Sequence, residues 1–223
     1  MKNNHHSEEK NSKPSFREQH SPFIRIWHWG TVLLISGSLI TVFIAKVILN
    51  RKNSILAIQD NLQKNNIRIT SDQAKSLAGE FNDMIWKWHI YIGYVLAFLV
   101  LFRIIIEFIH PKNKKVIFLL KNSFKYLKIN PLNKAETKHY ILVRCIYILF
   151  YISITIQAIT GLFMAYADGK KDLREFRHFA SNIHSVFMWI IISFILIHIF
   201  GVLSAEIGKK YKGVVSDMIN GGE

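Results

Sequence analysis

The chain has 223 residues, half of them apolar, and lysine plus arginine outnumber aspartate plus glutamate by 29 to 15. Its apolar residues come in blocks rather than amphipathic stripes, which argues against a soluble domain and makes a bilayer the expected solvent. Cys145 is the only cysteine, which excludes a disulfide framework, a thiolate metal cluster and a C-x-x-C-H site for covalent heme; it reads as a small buried apolar residue.

Residues 1–22 (MKNNHHSEEKNSKPSFREQHSP) have almost nothing to bury and read as a disordered tail, with His5, His6 and His20 solvated. Four blocks follow at about 24–49, 85–109, 141–166 and 183–207. Each is long enough to cross a hydrocarbon core, which needs ~20 residues at 1.5 Å apiece. The first is too long for a cleavable signal and lacks a small-residue cleavage site. The fold class is therefore all-α: an integral membrane four-helix bundle running up-down-up-down, with its domain at 23–210 and a C-terminal tail at 211–223.

Between the first two spans, residues 50–84 carry periodic apolar positions (Ile55, Leu56, Ile58, Leu62). Thr70-Ser71-Asp72-Gln73 then resembles a capping box opening a helix towards Met84. The segment from Lys112 to Lys134 interleaves lysines with Val116, Leu119, Leu120, Phe124 and Leu127, the pattern of a helix lying on an anionic membrane surface, and Asn130-Pro131 ends it. Tryptophans at 27, 29, 86 and 88 mark an interfacial aromatic belt. The N-terminal tail, the middle loop and the C-terminal tail hold 16 basic residues, against 9 in the other two loops, so both termini are expected in the cytoplasm.

Orientation sorts the histidines by depth. His28 lies early in the first span, near the cytoplasmic face, while His89 and His184 open the second and fourth spans near the outer face. His198 stands fourteen residues beyond His184, ~21 Å deeper at 1.5 Å per residue, and returns to the level of His28. At the 3.5-residue repeat of a left-handed bundle, fourteen residues make four whole turns, so His184 and His198 share a face. One membrane histidine alone reads as an interhelical hydrogen-bonding group. Four at two matched levels read as axial ligands of two stacked bis-histidine hemes, His89 with His184 and His28 with His198.

Arg103, fourteen residues after His89, reaches the inner-heme level, where it either pairs with a propionate or bridges to Glu107 one turn on. Arg25 and Arg144 read as snorkelling to lipid headgroups. Gly93 either leaves room for a ring edge or serves close helix packing. His110, His139 and His178 fall at helix ends or in loops and read as having no functional role.

The motifs R-x-W-H-W at 25–29, W-x-W-H-x3-G-Y at 86–94, N-P-L at 130–132, T-G-L at 160–162, and H-x13-H-x2-G-V followed by a glutamate and KGVVSDMINGG together resemble the bacterial cytochrome b561 and nickel-iron hydrogenase cytochrome b family, over residues 23–222. The resemblance implies a four-helix membrane cytochrome with two b hemes (heme b), passing electrons between a partner and the quinone pool. It carries the family's four ligands onto His28, His89, His184 and His198. It also implies a quinone near the inner heme, close to Asn130 and His198.

The expected function is thus a membrane electron carrier between an outer-side donor and quinone, as a subunit docked to a hydrogenase-like or other dehydrogenase. Alternatively, it acts alone as an oxidoreductase on superoxide or another small outer donor. A rival of another class is a proton-coupled or metal-ion transporter using the intramembrane histidines, which predicts broken helices and carboxylates among the ligands. Neither is evident in the sequence. A passive membrane anchor leaves the two-level histidines unexplained.

Overall fold

A computed structural model of the chain describes residues 21–109, 134–208 and 213–221. The described residues are helical, without strands: α1 (Pro22–Phe43), α2 (Arg51–Lys64), α3 (Ser71–Ile109), α4 (Lys134–Tyr166), α5 (Arg174–Ile207) and α6 (Val214–Asn220). Four helical stretches, within Pro22–Ile48, Ser71–Glu107, Ile141–Tyr166 and Lys171–Ile207, are long and apolar enough to cross a membrane. The expected disordered tail up to residue 20, the lysine-rich segment with Asn130, and His5, His6, His20 and His110 lie outside the described residues.

Local chemistry explains the helix ends. Pro22 opens α1, where its missing N–H costs nothing. The last turn widens into a π-turn, Leu49 N–H donating to Ile44 O at 2.8 Å, before Asn50 caps α2 by accepting from Lys52 N–H. The expected capping box is present and reciprocal. Thr70 N–H donates to Gln73 Oε1 at 2.8 Å, and Gln73 N–H donates to Thr70 Oγ1 at 3.2 Å.

Three spanning helices begin earlier than the apolar blocks do. The expected outer helix towards Met84 and the second span are one 39-residue helix, α3, because no proline or turn sequence interrupts residues 71–109. At 1.5 Å per residue it is roughly 58 Å long, about twice a ~30 Å hydrocarbon core. α4 starts at Lys134 and α5 at Arg174, since KAETKHY and REFRHFASN are polar but helix-compatible. Hydropathy marks where a helix enters lipid, not where it starts.

Contacts divide the chain into two compact units. One consists of Ile26–Ile105 and Ile152–Ser193. Within it α1 and α3 run antiparallel. Trp27 Nε1 donates to Leu99 O (3.2 Å), a Cβ on Gly37 would sit 3.5 Å from Ile92, and Asn82 Nδ2 donates to Ala45 O (3.1 Å). α4 and α5 are joined by a turn through Gly169 (φ +72°) and a single 3₁₀ turn, Lys171–Leu173, bridged by Arg177 and Asp168 at 3.0 Å. Small buried residues, Ala45, Ala74, Ala78, Ala167 and Ala180, mark close helix contacts. Bulky apolar side chains such as Phe98 and Trp189 point outward from the chain, as lipid-facing residues do.

The other unit holds the described residues up to Arg25, Ile106–Tyr151 and those from Phe194 onward. Phe150 stacks on Phe194 (centroids 4.4 Å) and Phe194 on His198 (5.7 Å, rings 7° from parallel). The expected C-terminal tail contains a helix, α6, framed by left-handed glycines, Gly213 (φ +92°) and Gly221 (φ +89°). The Glu206 carboxylate accepts from Gly213 N–H (3.3 Å) and Val215 N–H (3.4 Å), satisfying amides at its start. Cys145, expected to be buried, is exposed on α4. A helix bathed in lipid has no need to bury a thiol.

Candidate functional site

Each of the four long helices contributes to one half-buried cluster in the unit Ile26–Ile105 plus Ile152–Ser193. His89 comes from α3 and His184 from α5, and their ring centroids stand 6.4 Å apart with planes 74° from parallel. Thr41 of α1 lies with its Oγ1 2.9 Å from His89 Nδ1. Thr160 of α4 lies with its Oγ1 3.0 Å from His184 Nδ1. Ser38 adds its carbonyl and hydroxyl oxygens, each 3.3 Å from His89 Nδ1. Trp86, one turn before His89, packs edge-on to the imidazole at 5.4 Å, and Lys46 Nζ sits 5.6 Å over the Trp86 ring.

Why these side chains converge follows from the helix pairing. The antiparallel register that sets Gly37 against Ile92 places Thr41 opposite His89. On α4, Gly161 removes the obstacle to His184: a Cβ there would meet His184 Cε1 at 3.3 Å and Nδ1 at 3.7 Å. The Nδ1–Cε1 edge of His184 therefore lies against the α4 backbone. Gly93, by contrast, has nothing within 4 Å of an added Cβ. Close helix packing therefore does not account for it.

The geometry suits a planar iron group. Two imidazoles ligating one metal from opposite sides at ~2 Å each would set their ring centroids roughly 6 Å apart. The 6.4 Å between His89 and His184 is that separation. Both Nδ1 atoms have protein partners, which leaves the Nε2 atoms for a ligand. Among the described residues no group of three or more His, Cys, Asp or Glu side chains is placed to hold a bare metal ion. A porphyrin iron asks for only two.

The remaining sequence candidates separate. His28, half-buried on α1, meets Trp29 edge-on at 5.4 Å, and His198, half-buried on α5, belongs to the other unit in its stack with Phe194. Arg103 holds its guanidinium 5.8 Å from the Trp27 ring centroid, a cation–π contact. Arg25, expected to snorkel, donates to Ile219 O at 3.4 Å. The C-terminal carbonyls of α6 lack helical donors and attract a cation. Arg144 is half-buried on α4; His139 and His178 are exposed. Thr41, Thr160 and Gly161 escaped the sequence reading, although Thr160 and Gly161 form the start of its T-G-L motif.

Among curated proteins and solved structures nothing matches the chain. The family described as prokaryotic cytochrome b561 matches residues 19–221, which takes in all four long helices and the histidine cluster. The described residues are helical, four of their helices are long and apolar enough to cross a membrane, and the chain belongs to the prokaryotic cytochrome b561 family: it is a membrane b-type cytochrome of electron transfer.

Proposed function

We propose that the chain is a two-heme cytochrome that passes electrons between a donor at the outer face of the cytoplasmic membrane and the quinone pool, as the membrane subunit of a hydrogenase-like or other dehydrogenase complex. The observation that carries the reading is the facing pair His89 and His184, 6.4 Å between centroids, with every Nδ1 contact made by protein oxygens. His28 and His198 are assigned the second heme, Arg103 its polar surroundings, and Asn130 and His198 the neighbourhood of the quinone. Both termini are placed in the cytoplasm by the distribution of basic residues.

Heme iron, when bound, carries one electron between its ferric and ferrous states. The chain's own residues do the rest. His89 and His184 offer one neutral imidazole from each side, the threonines orient the rings, and the apolar faces of the long helices keep water from the site. No acid or base in this cluster has to move a proton.

The test is a dithionite-reduced minus oxidised spectrum of the purified chain with heme quantitation, followed by oxidation of the reduced protein with a quinone analogue. About two b hemes per chain and quinone-dependent reoxidation are expected. A colourless, folded preparation from heme-replete cells overturns the heme reading. One heme per chain overturns the second pair alone, and a reduced protein inert to quinones overturns the acceptor.

A further inference from the structure

The two central imidazoles meet the protein in the same way, through Nδ1 and a threonine whose own hydrogen is already committed. Thr41 donates its hydroxyl hydrogen to Ser38 O at 2.6 Å. Thr160 donates to the carbonyls a turn behind it, Ile156 O at 2.7 Å and Gln157 O at 3.1 Å. A hydroxyl has one hydrogen and two lone pairs, so each oxygen can face its histidine only as an acceptor. Each Nδ1 must therefore carry the proton, and in a neutral imidazole that leaves Nε2 with a free lone pair. Ser38 O, also near His89 Nδ1, can only accept and enforces the same tautomer.

We propose that Thr41 and Thr160 are matched positioning residues that hold His89 and His184 in the Nε2-ligating tautomer and, through the Nδ1–H···Oγ1 bonds, tune the potential of the heme between them. The assignment rests on reading His89 and His184 as an axial pair. A threonine in an apolar helix commonly bonds back to its own preceding turn, and that alone would mean nothing. Here the second lone pair is aimed at an imidazole on a neighbouring helix, and this happens twice, from α1 to α3 and from α4 to α5. Thr41 and Thr160 are 9% and 8% exposed, so water is poorly placed to replace either oxygen. A hydrogen bond accepted from Nδ1–H makes the imidazole a stronger electron donor, which favours the oxidised metal.

The experiment uses the full-length, heme-loaded protein and the variants Thr41→Val, Thr160→Val, Thr41→Ser and Thr160→Ser, with alanine beside valine in case the bulkier change fails to accumulate. Redox titration and heme titration are read together. Each valine or alanine variant is expected to move the midpoint of one heme, the same one in every case, to a more positive potential and to weaken its heme affinity by about 10–100-fold, with serine restoring both. Unchanged potential and affinity in the valine or alanine variants overturn the proposal, as does serine behaving like valine, which would mark a packing role. His89→Ala and His184→Ala separate the two failures. If they leave every heme in place, the ligand reading has failed; if they remove one while the threonine variants are silent, only the threonine assignment has.

Discussion

Arg25, one turn into α1, and Ile219, at the end of α6, are joined by a hydrogen bond from guanidinium to carbonyl of 3.4 Å, although 194 positions separate them in sequence. The guanidinium lies against Gly221, where a Cβ would approach Nη1 to 3.0 Å on a backbone already at φ +89°. Gly221→Ala should therefore cost about 1–2 kcal/mol of local stability from the left-handed conformation alone. Hydrogen exchange at the amides of residues 214–220 should speed by roughly 5–30-fold. Arg25→Ala should accelerate the same amides, while exchange in residues 71–75 stays unchanged.

The histidines should fail in pairs. His89→Ala and His184→Ala should erase the same spectral component, and the double variant should look like either single one, as expected of two residues serving one iron. His28→Ala and His198→Ala should together erase the other. Low-temperature absorption spectra of the five variants check this. A component shared by His28→Ala and His89→Ala would contradict the assignment of pairs.

How much of this the sequence disclosed depended on whether the signal was local. Helix-start chemistry at Thr70 and Gln73 is local, and the reciprocal cap is there. Position along a helix is local too: His89 and His184 each open a span from the same side, and their rings are found together. Contacts made across helices were not legible. Thr41 and Thr160 look like any threonines in an apolar run until the register of α1 on α3 and of α4 on α5 is known. Arg25 near a membrane face reads as a snorkelling cation because nothing in residues 211–223 announces a helix whose end needs a donor. Glu206, noted only as a motif letter, has its meaning in the amides of Gly213 and Val215.

Thr70→Ala should cost about 1 kcal/mol at the start of α3 by removing one side of the reciprocal cap. Faster exchange of the first α3 amides is the expected sign. Gln73→Ala should do less, since it removes only the return bond to Thr70 N–H. Heme content should be unaffected in both.

Gly161 and Gly93 make a controlled comparison. Gly161→Ala forces a methyl to within 3.3 Å of His184 Cε1, so the ring must shift by a few tenths of an ångström, and the optical and EPR signals of its heme should move. Gly161→Val should lower heme content outright. Gly93→Ala meets no protein atom within 4 Å, and its effect on protein stability should be within about 0.5–1 kcal/mol of neutral and favour the helix. Any loss of heme caused by Gly93→Ala would then report a ring edge lying in that open space.

The unbroken course of α3 gives the chain a stiff lever. Met84 and His89 are five residues apart on one hydrogen-bonded rod, ~7.5 Å along its axis, with no hinge between them. A load applied to the polar end, residues 71–84, is delivered to the imidazole as displacement rather than absorbed as bending. Thr41 belongs to a different rod, α1, so the 2.9 Å bond between Thr41 and His89 works as a strain gauge across the two. Sliding α3 along α1 would change the length of that bond directly, because its two ends lie on different helices.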